Sequence, residues 1–241
     1  ISALVDITNY MTIAHCRPLH VFDADKINGN INIRLAQAGE KLLALDGKEY
    51  NLDDKMTVIA DDHNAEALAG VMGGENSGVS EKTINVMLET AYFDPVRTAA
   101  TGRKLNLQSD ARFRFERGVD PAFLNDATEI ATQMILDICG GEASKIINVG
   151  QEPDWRKKYF LTNSRIEKLG GVEVAPDRTQ EILEKLGFEV SKVDGGWETI
   201  TPSWRYDIAG EADLVEEVLR INGFDNIPIV PLEREGSLPK G

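Results

Sequence analysis

The residues best equipped for chemistry are one carboxylate, one imidazole and a run of arginines, in three separate stretches. Glu89 stands in INVMLETAYF, an otherwise apolar run, where alternation puts it on one face with Met87 and Ala91. A carboxylate turned toward a partly buried interior needs a partner, because uncompensated burial costs several kcal/mol. Two are open to it: an arginine of the chain, or the hydroxyl of a ligand. His20 lies among apolar neighbours in PLHVFDAD, a setting that fits a hydrogen-bonded structural role as well as a catalytic one. Neither His15 nor His63 shares a metal-ligand spacing with it. From Pro95 to Gly118, Arg97, Arg103, Lys104, Arg112, Arg114 and Arg117 oppose only Asp110 and Glu116, in a chain whose formal net charge is -14. A local reversal of charge in an acidic protein predicts an anion as the target of the patch. Ser109 and Ala111, small residues inside it, leave room for a ligand.

Other motifs narrow the chemistry. The loop GVMGGENSG, with Gly70, Gly73, Gly74 and Gly78, lacks the Gly-Lys-Ser/Thr ending of a phosphate-binding P-loop. It is either a turn between strands or a place where a ligand approaches the backbone. There is no GxSxG, no HExxH and no activated cysteine context. A hydrolase built from these residues would position water and substrate rather than form a covalent intermediate. Toward the C-terminus, YDIAGEADLVEEVLR gathers Asp207, Glu211, Asp213, Glu216 and Glu217. Asp213 lies three and four residues before Glu216 and Glu217, so these acids crowd one helical face. Such oxygen ligands suit Mg²⁺, while a helix dipole alone also favours acids near an N-terminus.

The elements that must position these residues read as follows. ALVDITNYMTIAH predicts an opening helix. Short β-rich runs follow: LHVFDA, INIRLA, KLLALDGKEYNL, MTVIAD, EALAGVM and INVMLETAYF, with Asp46-Gly47 as a hairpin signal. Asp94-Pro95 predicts a helix start, with Asp94 as N-cap. RFRFER alternates with period two and predicts a strand with Phe113 and Phe115 inward and the arginines outward, a helix start being the alternative. PAFLNDATEIATQMILDICGG predicts a helix ended by Gly140-Gly141, with Cys139 in the core. GQEPDWRKK reads as a linker. Beyond it, FLTNSRIEKLGG and APDRTQEILEKLGF read as two short helices, EVSKV and WETITP as a hairpin, and EADLVEEVLRINGF as a last helix. The expected class is α+β: a strand-rich first domain over 1–150 with peripheral helices, then a small α+β module over 151–241.

Bulk properties exclude some roles. The charge argues against broad, non-specific binding to nucleic acid, though one RNA end could dock through a local patch. The two cysteines, Cys16 and Cys139, have no CxxC spacing and read as reduced thiols of a cytoplasmic protein. No apolar run is long enough to span a membrane. The first residue is Ile1 and the last stretch is REGSLPKG, so the chain reads as a piece of a longer polypeptide.

Along the whole chain, VDITNY, RPLHVFDADKI, GVMGGENSGV, VMLETAYFDP, SDARFRFERGVDP, ICGG, PSWRYDI and EADLVEEVLRINGFDNIP occur in order. Together they resemble the β chain of bacterial phenylalanyl-tRNA synthetase. The resemblance implies that the first domain is an editing domain that hydrolyses tyrosine wrongly esterified to tRNA(Phe), and that the second is a winged-helix-like module. It implies an (αβ)₂ enzyme whose α chain holds the ATP-dependent aminoacylation site, absent from this sequence. It also implies residue roles. His20 matches an editing-pocket histidine, Gly73 a glycine lining the pocket, and Glu89 the glutamate that receives the tyrosine hydroxyl. Ser109 and Ala111 match small wall residues, and Thr8 with Asn9 a polar pair near the ester. Asp207, Asp213, Glu216 and Glu217 match Mg²⁺ positions, with no cofactor at the editing site. Ser109 stands where the family often has threonine, and Arg112 where it often has a small polar residue. A non-catalytic module that positions tRNA or scaffolds the enzyme is the alternative.

Overall fold

The computed structural model describes residues 2–231; the tail REGSLPKG lies outside them. The chain divides into two compact units between Pro153 and Asp154. In the first, α1 (Ala3–Ala14) leads into β1 (His20–Asp23), β2 (Asn32–Leu35), β3 (Lys41–Leu43), β4 (Glu49–Asn51), β5 (Thr57–Ala60), β6 (Ala65–Leu68), β7 (Met72–Gly73) and β8 (Val86–Glu89). Three helices follow: α2 (Pro95–Leu105), α3 (Asp110–Phe115) and α4 (Leu124–Cys139).

The strands form a four-stranded antiparallel sheet in the order β2-β5-β6-β7 and two antiparallel ladders, β1-β8 and β3-β4. The β3-β4 hairpin turns at Asp46-Gly47, where Gly47 takes φ +74° and its N–H donates to Ala44. Between the sheet and the β1-β8 ladder lies a core of Phe22, Ile59, Ala67, Ala69, Phe93, Phe115 and Val119. A second core, with Ile7, Met11, Leu19, Ala127 and Ala131, joins α1 to α4. Asp94 caps α2 by accepting from the Arg97 N–H at 2.7 Å, with Pro95 in the first turn.

Two expectations for this unit are corrected. RFRFER is helical. Ser109 caps α3 by accepting from the Arg112 N–H at 3.0 Å, and pairs four residues apart close its side: Asp110 with Arg114 and Arg112 with Glu116. Such pairs need helical spacing, and they outweigh a period-two pattern only six residues long. Phe115 alone of the two phenylalanines is buried; Phe113 is exposed, with the Arg117 guanidinium 3.7 Å above its ring. Cys139 is exposed, because α4 buries Ala127 and Ala131 and ends at Cys139, past that face.

Residues 140–157 form no helix or strand. The second unit holds β9 (Lys158–Thr162), α5 (Arg165–Gly170), α6 (Pro176–Lys185), β10 (Glu189–Val193), β11 (Gly196–Ile200) and α7 (Glu211–Asn222). Its three-stranded antiparallel sheet runs β10-β11-β9, and its core gathers Leu161, Ile182, Leu183, Trp197, Leu214 and Val218. FLT, expected within a helix, lies in β9. That strand pairs with β11 far along the chain, a partner no local pattern announces. Both units mix helices with antiparallel sheets, the α+β class. Among the described residues no helix is long and apolar enough to cross a membrane.

Candidate active site

The antiparallel β1-β8 register sets His20 directly opposite Glu89. Both residues line a cavity of about 60 Å³ whose other walls are apolar or glycine, among them Leu19, Met72, Gly73, Phe93, Ala111 and Phe115. Of all its lining residues only His20 and Glu89 titrate.

Each of the two residues carries a buried polar atom without a protein partner: His20 Nε2 and Glu89 Oε1. An unsatisfied buried group costs about 1–3 kcal/mol, and such groups are scarce in native proteins. Among the unpartnered buried atoms of the described residues, these two stand out because they sit on register-paired residues that line one cavity. Burial pushes the Glu89 carboxyl up to about 8, partly countered by the positive charge of Arg17. Burial pushes the His20 imidazole down to about 4, so it is neutral at physiological pH. His20 is also held edge-on by Phe22, ring centres 4.3 Å apart. The arginine pairing open to Glu89 from the sequence is not made: no ion pair reaches it among the described residues.

Gly73 is required by space. A Cβ there would lie 2.7 Å from His20 Nε2 and 3.0 Å from Leu45 Cδ1. Gly70, at φ +70°, sits under the rings of Phe93 and Phe115. Ala111, the second residue of α3, contributes a methyl wall.

Other expected site residues lie elsewhere. The Ser109 hydroxyl donates to the Val71 carbonyl at 2.5 Å while capping α3, and so ties that helix to the glycine loop rather than facing the cavity. Thr8, whose hydroxyl donates to the Val5 carbonyl, and the exposed Asn9 lie on α1 and do not line the cavity. Four of the six cations of the patch are ion-paired, to three acids, so an excess of positive charge remains. Lys104 pairs with Asp53, Arg112 and Arg117 with Glu116, and Arg114 with Asp110. Arg112 also donates to the Leu107 carbonyl. Of the six cations only Arg103 has no partner among the described residues.

In the second unit the acidic residues are committed. Arg205 donates to both oxygens of Asp207, at 2.8 and 2.7 Å, and to Glu217 at 2.9 Å. Arg220 adds a second contact to Glu217 at 2.6 Å. Asp213 accepts from the Ala209 and Gly210 N–H groups at 2.8 and 2.9 Å and so closes the start of α7. Glu216 is exposed. The arginines hold the Asp207 and Glu217 carboxyls below the usual carboxylate range. Among the described residues no three potential ligands converge on one point. As placed, these acids do not fit a resident Mg²⁺: Asp207 and Glu217 are paired with guanidinium groups, Asp213 is held by backbone N–H groups, and Glu216 stands exposed.

Comparison with known proteins defines the class. Residues 1–140 match the model of the B3/4 domain, and the chain belongs to that family. Residues 159–224 match the tRNA synthetase B5 domain. Over 240 residues the chain is 59% identical to the phenylalanine–tRNA ligase β subunit of Paramagnetospirillum magneticum, covering all of this chain and 30% of that protein. The β subunit of Ruegeria pomeroyi is 52% identical over 234 residues, 97% of this chain and 29% of that protein. The chain thus spans about 30% of the length of the relatives it matches. An N-terminal fragment of the phenylalanyl-tRNA synthetase β subunit from Pyrococcus horikoshii aligns at 20% identity and a TM-score of 0.43, over 90% of this chain and 64% of that one.

Proposed function

We propose that the chain is the editing segment of a phenylalanine–tRNA ligase β subunit and that its cavity hydrolyses tyrosine misattached to tRNA(Phe). The observation that carries this reading is the pair of unpartnered polar atoms, Glu89 Oε1 and His20 Nε2, around one apolar cavity. Tyrosine is phenylalanine plus one hydroxyl, and an apolar synthetic pocket rejects an added hydroxyl by only about a hundredfold. A second site that must satisfy a buried acceptor works the other way. It selects the hydroxylated side chain and disfavours phenylalanine, which would leave Glu89 bare.

In this mechanism Glu89 accepts the tyrosine hydroxyl, and Ala111, Phe93, Phe115 and Met72 surround the ring. Met72, unbranched, is the wall residue best able to give way on entry. Neutral His20 holds the ester or its attacking water; water attack on an activated ester needs positioning and a polarised site rather than a covalent nucleophile. Partners on this reading are tRNA(Phe) and an α chain in an (αβ)₂ assembly that works in the cytoplasm. The test is Glu89→Ala in the assembled ligase. Tyr-tRNA(Phe) deacylation should fall by about a hundredfold or more while phenylalanine charging stays intact; unchanged Tyr-tRNA hydrolysis sinks the assignment.

A further inference from the structure

The motif RPLH contains a charge that the mechanism above does not use. Directly after α1 the chain turns sharply through Cys16, at φ +51°, and the Arg17 N–H donates to the Met11 carbonyl at 3.1 Å. Pro18 keeps Arg17 extended. The turn sends the guanidinium inward, and Arg17 is fully buried. A buried cation is costly unless its donors are met. One terminal nitrogen of Arg17 donates to the Ala91 carbonyl at 3.0 Å, and the other to the Asp120 carbonyl. Its Nε has no partner. Ala91 lies two residues past Glu89, so this arginine clamps the chain as it leaves β8.

We propose that Arg17 is a positioning residue of the cavity: it pins the end of β8 and sustains Glu89 as an open acceptor for a ligand hydroxyl. The charged groups around Glu89 are few. His20 faces it across the ladder, and Arg17 acts on it from the turn after α1. Asp120, from the segment before α4, acts on Arg17 rather than on Glu89. No carboxylate–guanidinium pair forms between Arg17 and Glu89, so the positive charge favours ionisation without occupying the oxygen. An ion pair would block the site; a missing cation would leave the carboxyl protonated over a wider pH range.

This inference rests on Glu89 receiving the substrate hydroxyl. Deacylation of Tyr-tRNA(Phe) by the assembled ligase is therefore measured against pH for wild type, Arg17→Met, Arg17→Lys and Glu89→Gln. In wild type the rate should rise with Glu89 ionisation, with a midpoint near about 8. Arg17→Met should move the midpoint upward by about one unit, losing about tenfold in rate at neutral pH. Arg17→Lys should keep the midpoint and raise KM several-fold, because one ammonium cannot hold both carbonyls as the guanidinium fork does. A folded Arg17→Met enzyme whose midpoint has not moved overturns the proposal. If Arg17→Met does not fold, Arg17→Lys decides alone, and unchanged KM and midpoint there are the overturning result. A midpoint that survives in Glu89→Gln counts against the Glu89 assignment itself and leaves Arg17 aside.

Discussion

One carboxylate of the first unit is treated in the opposite way from those of the second. In the first, Glu89 is half-buried with one buried oxygen unmatched, across the ladder from an equally unmatched imidazole nitrogen. In the second, Asp207, Asp213 and Glu217 are each satisfied by an arginine or by backbone N–H groups. The acids of this stretch look the more conspicuous in the sequence, yet all but the exposed Glu216 are spent in holding the module together. Five carboxylates in a short stretch report less about function than one carboxylate whose unmatched oxygen belongs to the lining of a cavity. The physical reason is cost: a satisfied acid is cheap to keep, whereas an orphaned buried one persists only where something else supplies its partner.

The comparison is most sharply tested by filling the cavity. Gly73→Ala sets a methyl against the His20 ring and should reduce Tyr-tRNA deacylation by roughly a hundredfold, since small misplacements at a reacting centre cost that much. Circular dichroism should show the fold intact; normal deacylation by the folded variant would place the site elsewhere. His20→Ala should cause a partial loss, about tenfold. Because burial lowers the imidazole to about 4, no acid limb should appear near the ordinary histidine value of 6.5. A limb there, with total loss in His20→Ala, would make the histidine an obligatory base.

The second unit should respond in stability, not in editing. Arg205→Met leaves Asp207 and the buried Glu217 short of their shared donor, and should lower the melting temperature of that unit by about 4–8 °C. Tyr-tRNA deacylation should persist. Loss of deacylation with the assembly and the tRNA both intact would move the chemistry into the second unit. The smallest effect concerns Glu89 and pH. Its folded value lies above its ordinary 4.5, so the fold favours the protonated carboxyl; that stabilisation is full below about 4.5 and is lost as pH rises through about 8. Glu89→Gln stays neutral and should escape this loss. Its melting temperature should exceed that of wild type by about 3 °C above pH ~8. Equal alkaline melting temperatures would mean that Glu89 finds a partner when ionised.

Much of this molecule was legible in the residues themselves. Turn and cap chemistry acts over three or four positions, so Asp46-Gly47, Asp94-Pro95 and Gly140-Gly141 announced their elements directly. An apolar run interrupted by one carboxylate announced Glu89, and motif order announced the family. Local pattern misled in two places, once against a competing local pattern and once against a distant strand. RFRFER obeyed the helical ion pairs of Asp110, Arg112, Arg114 and Glu116 rather than its alternation. FLT became strand because β11 lay available to pair with it. Neither the free state of Glu89 nor the ion pairing of four cations of the arginine patch could be read from spacing, because both depend on which groups arrive within about 3 Å once the chain has folded. Arg17 shows the same limit. One arginine beside a proline is ordinary in sequence, and only the turn at Cys16, the close of β8 and the carbonyl of Asp120 turn it inward as a buried clamp.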